Sequence, residues 1–262
     1  MRLDVSGNPC YAYTGSRLLD AAQSTIVFVH GAANDHSVWA LQSRYFAHHG
    51  FNVLAVDLPG HGRSGGPALT SVEAIADWVP QVLDAAGIAQ AALVGHSFGS
   101  LATLACAARH ADRVTKAVVL GPAAPMLVSD ELLAAARADD HVAYEMINSW
   151  SLSAGKQLGG NTVPGIWMSG NALRLMERTP TGVLYTDLLA CRSYADGVAD
   201  AARIRCPVLA ILGARDIMTP VKGAHPLLAA FADRRVMTLP DTGHSMMAEQ
   251  PDTVLDALRA FL

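Results

Sequence analysis

One serine lies at the centre of a glycine-flanked pentapeptide, Gly95-His96-Ser97-Phe98-Gly99, which follows an apolar run and precedes an Ala/Leu-rich stretch. This order predicts a strand, a tight turn and a helix. Glycines are needed on both sides because such a turn leaves no room for a Cβ. The turn would raise the Ser97 hydroxyl above a sheet edge, at the N-terminus of the next helix. Ser97 is therefore a candidate nucleophile, and a chance match in a loop is the less favoured interpretation.

A serine hydroxyl is a weak nucleophile at neutral pH, so it needs a base and a group that orients the base. His244 follows the last predicted strand and Asp216 follows the strand before it, so both are expected at the same sheet edge as Ser97. The order Ser97, Asp216, His244 is that of one triad-bearing fold. Taken singly, Asp216 is also consistent with a helix cap and His244 with a structural role. Five of the ten histidines lie within or beside predicted helices and fit the role of base less well: His48, His49, His110, His141 and His225.

Attack on an acyl carbonyl creates an oxyanion, which needs positioned hydrogen-bond donors. The backbone N–H of Phe98, at the start of the helix, is one candidate donor. The turn His30-Gly31-Ala32-Ala33, after the first buried strand, offers the other. We assign this role to the N–H of Ala32 rather than to that of Ala33. On its own, the turn is also consistent with a simple strand end.

The elements that would position these residues alternate between buried strands and helices. A capping box at Thr70-Ser71-Val72-Glu73 begins a helix that lasts to Gly87, and Pro251 opens a final amphipathic helix. Strands joined by helices indicate the α/β fold class with a parallel sheet. Short apolar runs predict six strands, at residues 25–29, 52–56, 91–94, 114–120, 207–212 and 235–239.

Residues 122–204 interrupt this alternation, because they contain helical patterns and Gly-rich turns but no run typical of a buried strand. Ser129 is expected to cap a helix that extends to Trp150. We call this segment the helical insertion and predict that it forms a lid. The predicted domains are thus an α/β core, made of residues 1–121 and 205–262, and the helical insertion at 122–204.

The chain resembles the α/β-hydrolase superfamily over nearly its whole length. The resemblance implies an eight-stranded, mostly parallel sheet flanked by helices, with an antiparallel second strand, first strands within residues 3–13 and a helical cap after the sixth strand. It is carried by landmarks that occur in the family's order and at its usual intervals: His30-Gly31 with Trp39, Asp57-Leu58-Pro59-Gly60-His61-Gly62-Arg63-Ser64, Gly95-His96-Ser97-Phe98-Gly99, Gly213-Ala214-Arg215-Asp216 and Gly243-His244.

Departures from particular subfamilies narrow the expected reaction. Haloalkane dehalogenases and epoxide hydrolases carry Asp where this chain has Ser97, and the dehalogenases tend to have Asn where it has Ala32. Carbon–carbon bond hydrolases commonly read G-N-S-x-G-G, whereas this chain has His96 and Ser100 at two of those positions. We expect a serine carboxylesterase that cleaves a small to medium, largely apolar ester through an acyl-enzyme intermediate. The alternative is a carbon–carbon bond, lactone or amide hydrolase with the same triad. An alternative of another class is a ligand-binding receptor on the same fold.

The ester-like small molecule is expected to bind between the helical insertion and the core. Large apolar side chains are candidates for contact with it, and they are equally consistent with packing of the insertion against the core. These candidates are Met146, Trp150, Trp167, Met168 and Met246.

Composition argues against several other classes of function. The chain has 19 Lys and Arg against 23 Asp and Glu, a formal net charge of −4, and no basic stripe. Nucleic acid and membrane surfaces are therefore not expected as partners. We find no signal peptide, no apolar run long enough to cross a bilayer and only four widely spaced cysteines, so a cytoplasmic protein with reduced thiols is expected. The oligomeric state is left open.

A second glycine motif, Gly60-His61-Gly62-Arg63-Ser64-Gly65, matches G-x-G-x-x-G. A dinucleotide-binding loop of this type should open a helix at once. Here Gly66 and Pro67 intervene, and the helical pattern begins only near Ser71. Because no metal-binding motif is visible either, we expect neither a cofactor nor a metal.

Overall fold

Eight strands form one sheet in the computed structural model, which describes residues 1–160 and 162–262. The strand order across the sheet is β1-β2-β4-β3-β5-β6-β7-β8. Only β2 runs against the others, because it pairs antiparallel with both β1 and β4. The mostly parallel sheet with an antiparallel second strand is confirmed. The strands are β1 (Arg2–Val5), β2 (Asn8–Tyr13), β3 (Thr25–Val29), β4 (Asn52–Val56), β5 (Ala91–His96), β6 (Val114–Leu120), β7 (Val208–Gly213) and β8 (Arg234–Leu239).

Helices cover both faces of this sheet, which explains why the central strands β3, β4, β5 and β7 are buried at every residue. Their side chains alternate between two hydrophobic clusters. Val27 and Val29 join a cluster built with the helices at 72–85 and 98–109, while Ile26 and Phe28 join one built with those at 40–47 and 251–261. The helices are α1 (Ala40–Ala47), α2 (Val72–Ala85), α3 (Phe98–Arg109), α4 (Asp130–Arg137), α5 (Val142–Ser151), α6 (Ala154–Gln157), α7 (Met168–Met176), α8 (Val183–Ser193), α9 (Gly197–Arg203), α10 (Val221–Ala230), α11 (Met246–Glu249) and α12 (Pro251–Phe261).

Between β6 and β7 the described residues form the six helices α4 to α9 and no strand. The single helix predicted from Ser129 to Trp150 is wrong, since the chain forms α4 and α5 instead. Ser129 does cap α4, accepting a hydrogen bond from the amide of Leu132 at 3.2 Å. The break lies at Asp139, whose φ of 54° is left-handed and cannot continue a helix. The division into a core and a helical insertion stays a prediction.

The helical insertion also makes contact with the α/β core. A third hydrophobic cluster joins α4, α5, α7 and α8 to one another and includes Ala33, which belongs to the loop after β3. The helical insertion is therefore packed against a core loop and not only against itself. Among the described residues, no helix has the length and apolar character that crossing a bilayer would require.

Candidate active site

Ser97 occupies the sharp turn between β5 and α3. Its φ is 54°, a left-handed value that is unusual for a residue other than glycine. The two flanking glycines have no space for a side chain: a Cβ on Gly95 would lie 2.5 Å from the carbonyl carbon of Gly99, and one on Gly99 would lie 2.5 Å from the carbonyl oxygen of His30. The amide of Ser97 donates to the carbonyl of Leu120 at 2.9 Å. The turn is thus held against both neighbouring strands.

Asp216 and His244 form a buried pair at the same sheet edge. Nδ1 of His244 donates to Oδ2 of Asp216 at 2.7 Å, and both side chains are almost fully buried. Thr219 also binds the carboxylate of Asp216: its amide donates to Oδ1 at 2.8 Å and its hydroxyl donates to Oδ2 at 2.7 Å. Burial would raise the pKa of Asp216, but the neighbouring His244 and the hydrogen bonds from Thr219 hold it well below the ordinary range. Asp216 is therefore a carboxylate that orients the imidazole.

The other imidazole nitrogen, Nε2 of His244, is buried and has no hydrogen-bond partner among the described residues. Ser97 and His244 line the same cavity. Asp216 and His244 are therefore hydrogen-bonded to each other, whereas Ser97 Oγ and His244 Nε2 are not. Gly121 leaves space for the ring, because a Cβ there would lie 3.1 Å from Cε1 of His244.

Hydrogen bonds with three residues, Ser151, Glu249 and His96, hold the loop that carries His244. Ser151, at the end of α5, accepts hydrogen bonds from the amides of His244 at 2.8 Å and Ser245 at 2.9 Å. Glu249, which is fully buried, accepts from the amide of Gly243 at 3.0 Å and from the hydroxyl of Ser153 at 2.6 Å. No motif in the sequence predicts a supporting role for Ser151, Ser153 or Glu249.

His96, directly before Ser97, makes the third contact with that loop. Its Nε2 lies 2.8 Å from the carbonyl oxygen of His244, and because a carbonyl only accepts, Nε2 carries the hydrogen. Burial, together with the nearby charge of His244, lowers the pKa of His96 to about 3. His96 is therefore a neutral donor that restrains the backbone of His244.

The loop after β3 presents amides beside Ser97. A Cβ on Gly31 would lie 3.4 Å from Cβ of Ser97, which shows how closely the two backbones approach. The amide of Ala33 donates to Asp187 at 2.9 Å, whereas no hydrogen bond from the amide of Ala32 to another described residue is present. Phe98 is the first residue of α3, where amides have no partner within the helix. Ala32 and Phe98 thus remain the two candidate oxyanion donors.

A cavity of about 550 Å³ opens above Ser97 and His244. Its wall is largely apolar, and Lys222 is the only Lys, Arg, Asp or Glu among the described residues that line it. Most of the apolar wall comes from the helical insertion, including Leu132, Ile147, Trp150, Met176 and Leu188.

Of the five side chains predicted to contact substrate, Trp150 lines this cavity. The positions of the other four do not support the prediction, because none of them belongs to the cavity wall. Met246 is completely buried in the cluster with α12, and Trp167 is 72% exposed. Met168 borders a separate, smaller depression together with Trp167, and Met146 packs against the cluster within the helical insertion.

The loop from Asp57 to Gly65 contains the G-x-G-x-x-G motif. Asp35, His36 and Asp57 bring possible metal ligands together, but hydrogen bonds from His36 and Arg63 already use the oxygens of Asp57. Oδ1 accepts from the amide and from Nδ1 of His36, both at 2.7 Å, and Oδ2 accepts from the amide of Arg63 at 2.8 Å. The chain then runs on without a helix until α2. This arrangement supports a loop-bracing role for Asp57.

Comparison with known proteins agrees with this architecture. A sequence model described as the alpha/beta hydrolase fold matches residues 24–251. The chain is 32% identical over 245 residues to the pimeloyl-[acyl-carrier protein] methyl ester esterase of Chromobacterium violaceum, covering 90% of this chain and 93% of that protein. It is 27% identical to Protein ABHD8 of Bos taurus over 92% of this chain, but it spans only 57% of that longer protein. The enol-lactonase from Burkholderia xenovorans LB400 has a similar structure, with a TM-score of 0.88, 25% identity and coverage of 100% of this chain and 99% of that one.

Proposed function

Because the chain belongs to the α/β-hydrolase family of enzymes, we propose that it is a serine hydrolase that cleaves a largely apolar carboxylic ester through an acyl-enzyme intermediate. The observation that carries the proposal is the buried hydrogen bond of 2.7 Å between His244 Nδ1 and Asp216 Oδ2, in the wall of the cavity that also contains Ser97. A carboxylate that fixes Nδ1 leaves Nε2 as the basic atom.

In the first half-reaction, Oγ of Ser97 attacks the ester carbonyl while Nε2 of His244 takes the hydroxyl proton. The C–O bond to the leaving alcohol then breaks, and the same nitrogen gives its proton to that alcohol. The reaction requires a hydrogen bond from Ser97 to His244, which in substrate-free enzymes is often long and tightens when substrate binds. Asp216 stabilises the imidazolium that forms in between.

The oxyanion is bound by the amides of Ala32 and Phe98, and the latter lies at the N-terminus of α3, where the helix dipole also favours negative charge. In the second half-reaction, His244 removes a proton from water, the resulting hydroxide attacks the acyl-enzyme, and the proton returns to Ser97. The products are a carboxylic acid and an alcohol, and the enzyme is regenerated.

The apolar cavity supports a small to medium acyl group, with Trp150 in contact with it. The relative from Chromobacterium violaceum is a methyl ester esterase, which is consistent with this class of bond. A lactone is the second candidate, since it is a cyclic ester and the structurally similar Burkholderia protein is an enol-lactonase. Both reactions would use the same three residues.

The test is hydrolysis of p-nitrophenyl esters of increasing acyl length and of a lactone series by wild type, Ser97→Ala and Asp216→Asn, together with labelling by a fluorophosphonate. We expect labelling of wild type but not of Ser97→Ala, and a kcat for Asp216→Asn that is lower by about 10³–10⁴. Full turnover by Ser97→Ala would refute the assignment. Ligand binding without turnover or labelling in the wild type would instead favour a receptor.

A further inference from the structure

Ala33 adopts a strained backbone conformation next to the proposed oxyanion donor. Its φ is 52°, which is uncommon for a residue with a Cβ. Such a conformation persists only where the surroundings impose it. The side chain of Ala33 is fully buried in the hydrophobic cluster formed by the helical insertion, so the surroundings in question belong to that segment rather than to the sheet.

Two side chains of the helical insertion hold the backbone of Ala33. Oδ2 of Asp187, on α8, accepts a hydrogen bond from its amide at 2.9 Å, and Oγ1 of Thr179 donates one to its carbonyl oxygen at 3.0 Å. On the preceding peptide, the carbonyl of Ala32 accepts from Nδ2 of Asn34 at 3.1 Å. The peptide unit that follows Ala32 is therefore restrained at both its N–H and its C=O group.

His61 supports Asp187 electrostatically. Its Nε2 lies 2.8 Å from Oδ2 of Asp187, and its Nδ1 lies 3.0 Å from the carbonyl oxygen of Pro59. Both partners are acceptors, so both ring nitrogens donate and the ring carries a positive charge opposite the carboxylate. Burial would lower the pKa of His61, but the charge of Asp187 and its hydrogen bond raise it. The buried carboxylate of Asp187 is thus stabilised by a cation from the core.

We propose that Asp187 and Thr179 are positioning residues that hold Ala33 and so aim the amide of Ala32 at the oxyanion, which makes the helical insertion part of the catalytic apparatus. This inference rests on the proposed function. Neither residue touches the reacting atoms, and both act through the backbone of the loop. Without them, Ala33 can relax from its left-handed conformation and the amide of Ala32 turns away from Ser97.

The substitutions Thr179→Val and Asp187→Ala remove the two contacts. Thr179→Ser and Asp187→Asn are the conservative controls, because they retain the hydroxyl and an acceptor oxygen. Asp200→Asn is a control for general weakening of the helical insertion, since Asp200 is a buried acid of α9 that pairs with Tyr194 and Arg203 and does not contact the loop. We measure kcat and KM with a p-nitrophenyl ester. We also measure the Ki of a boronic acid inhibitor, which mimics the oxyanion when it forms a tetrahedral adduct with Ser97.

We expect Thr179→Val and Asp187→Ala to lower kcat by about tenfold or more, but by less than the ~10²–10³ loss caused by removal of a whole oxyanion donor. KM should change by less than about threefold, because the oxyanion forms only in the transition state. The Ki of the boronic acid should rise in parallel with the loss of kcat. Thr179→Ser should keep a kcat close to that of wild type. Asp187→Asn should keep more of its kcat than Asp187→Ala, because its amide oxygen still accepts from Ala33 although it no longer carries the charge opposite His61.

The inference is overturned if Thr179→Val and Asp187→Ala keep the wild-type kcat, or if Asp200→Asn loses as much kcat as they do. Should Asp187→Ala fail to fold, Thr179→Val and Thr179→Ser give the same test on their own. Fluorophosphonate labelling of the wild type separates the two proposals. If the wild type is labelled, failure of these variants to lose activity counts only against the positioning role, whereas an unlabelled, inactive wild type counts against the proposed function.

Discussion

Nε2 of His96 lies 2.8 Å from the carbonyl oxygen of His244, although the two residues are 148 positions apart. The residue before the proposed nucleophile therefore restrains the backbone of the proposed base. The two rings also pack together, with centroids 4.6 Å apart. This contact couples the turn after β5 to the loop after β8. It should therefore affect kcat, although it does not involve the reacting atoms.

We expect His96→Phe to lower kcat by about tenfold, because the ring volume is kept while the donor to His244 is lost and a buried carbonyl is left unpaired. The measurement is the kcat for a p-nitrophenyl ester. His110→Phe is the matched control, since His110 pairs with Asp77 away from the cavity. Equal kcat values for the two variants would contradict the restraining role.

The turn around Ser97 should tolerate no added methyl group. In Gly99→Ala the new Cβ would lie 2.5 Å from the carbonyl oxygen of His30, and backbone atoms on both sides cannot move away cheaply. We expect a loss of about 3 kcal/mol in the free energy of unfolding, measured by urea denaturation. Gly155→Ala is the control, because a Cβ there meets nothing within 4 Å. That variant should be as stable as wild type or more stable, and a similar loss in both variants would argue against a steric cause.

Two tryptophans of the helical insertion should differ in their influence on substrate preference. Trp150 lines the cavity, whereas Trp167 is 72% exposed and lies outside it. Trp150→Ala enlarges the cavity, so we expect the ratio of kcat/KM for long over short acyl esters to rise by roughly tenfold. Trp167→Ala should leave this ratio unchanged. The reverse pattern would mean that substrate binds elsewhere.

Two buried neutral histidines should make the fold sensitive to acid. In His30, Nδ1 lies 2.8 Å from the carbonyl of Gly31 and Nε2 accepts from the amide of Leu58 at 3.1 Å, so the ring is neutral. Burial, reinforced by the charge of His61, lowers the pKa of His30 to about 4, and burial lowers that of His96 to about 3. The neutral rings of His30 and His96 make their full contribution to the free energy of unfolding above about pH 6.5, the ordinary histidine pKa. It is lost as the pH falls, because only the unfolded chain then binds these protons.

Between about pH 5.5 and 4.5 each of these histidines should reduce the free energy of unfolding by about 1.4 kcal/mol per pH unit. His61, whose pKa is raised, is charged in both states in this range and does not alter the slope. Urea denaturation at several pH values should give a slope that is shallower by one proton in His96→Phe than in wild type. The exposed His225→Gln is the control, and equal slopes in wild type and His96→Phe would disprove the assignment.

The buried parallel strands were the part of the fold most accessible from sequence. The strands at Thr25–Val29, Asn52–Val56 and Val114–Leu120 have the predicted bounds, because strands covered on both faces are continuous apolar runs. β1 and β2 lack that pattern, since they form a half-exposed antiparallel hairpin. Only the resemblance to the hydrolase superfamily pointed to them.

Residues that act through packing were harder to predict. Trp150 and Trp167 are indistinguishable by residue type, and only the path of the chain places one in the cavity wall. Asp187 did carry a local signal, because it lies in the buried stripe of α8 with Val183, Leu184 and Leu188. An acid on an apolar helix face requires a partner, but its partners, Ala33 and His61, are more than a hundred residues away in the chain.

The burial of Ala33 among the helices α4, α5, α7 and α8 limits how this enzyme can be re-engineered. Exchanging the segment between β6 and β7 for that of a relative is an obvious route to chimaeras with new specificity. A donor segment that lacks counterparts of Thr179 and Asp187 would leave the amide and carbonyl of Ala33 without partners. A chimaera joined at the end of β6 and the start of β7 should therefore also receive the donor's loop after β3.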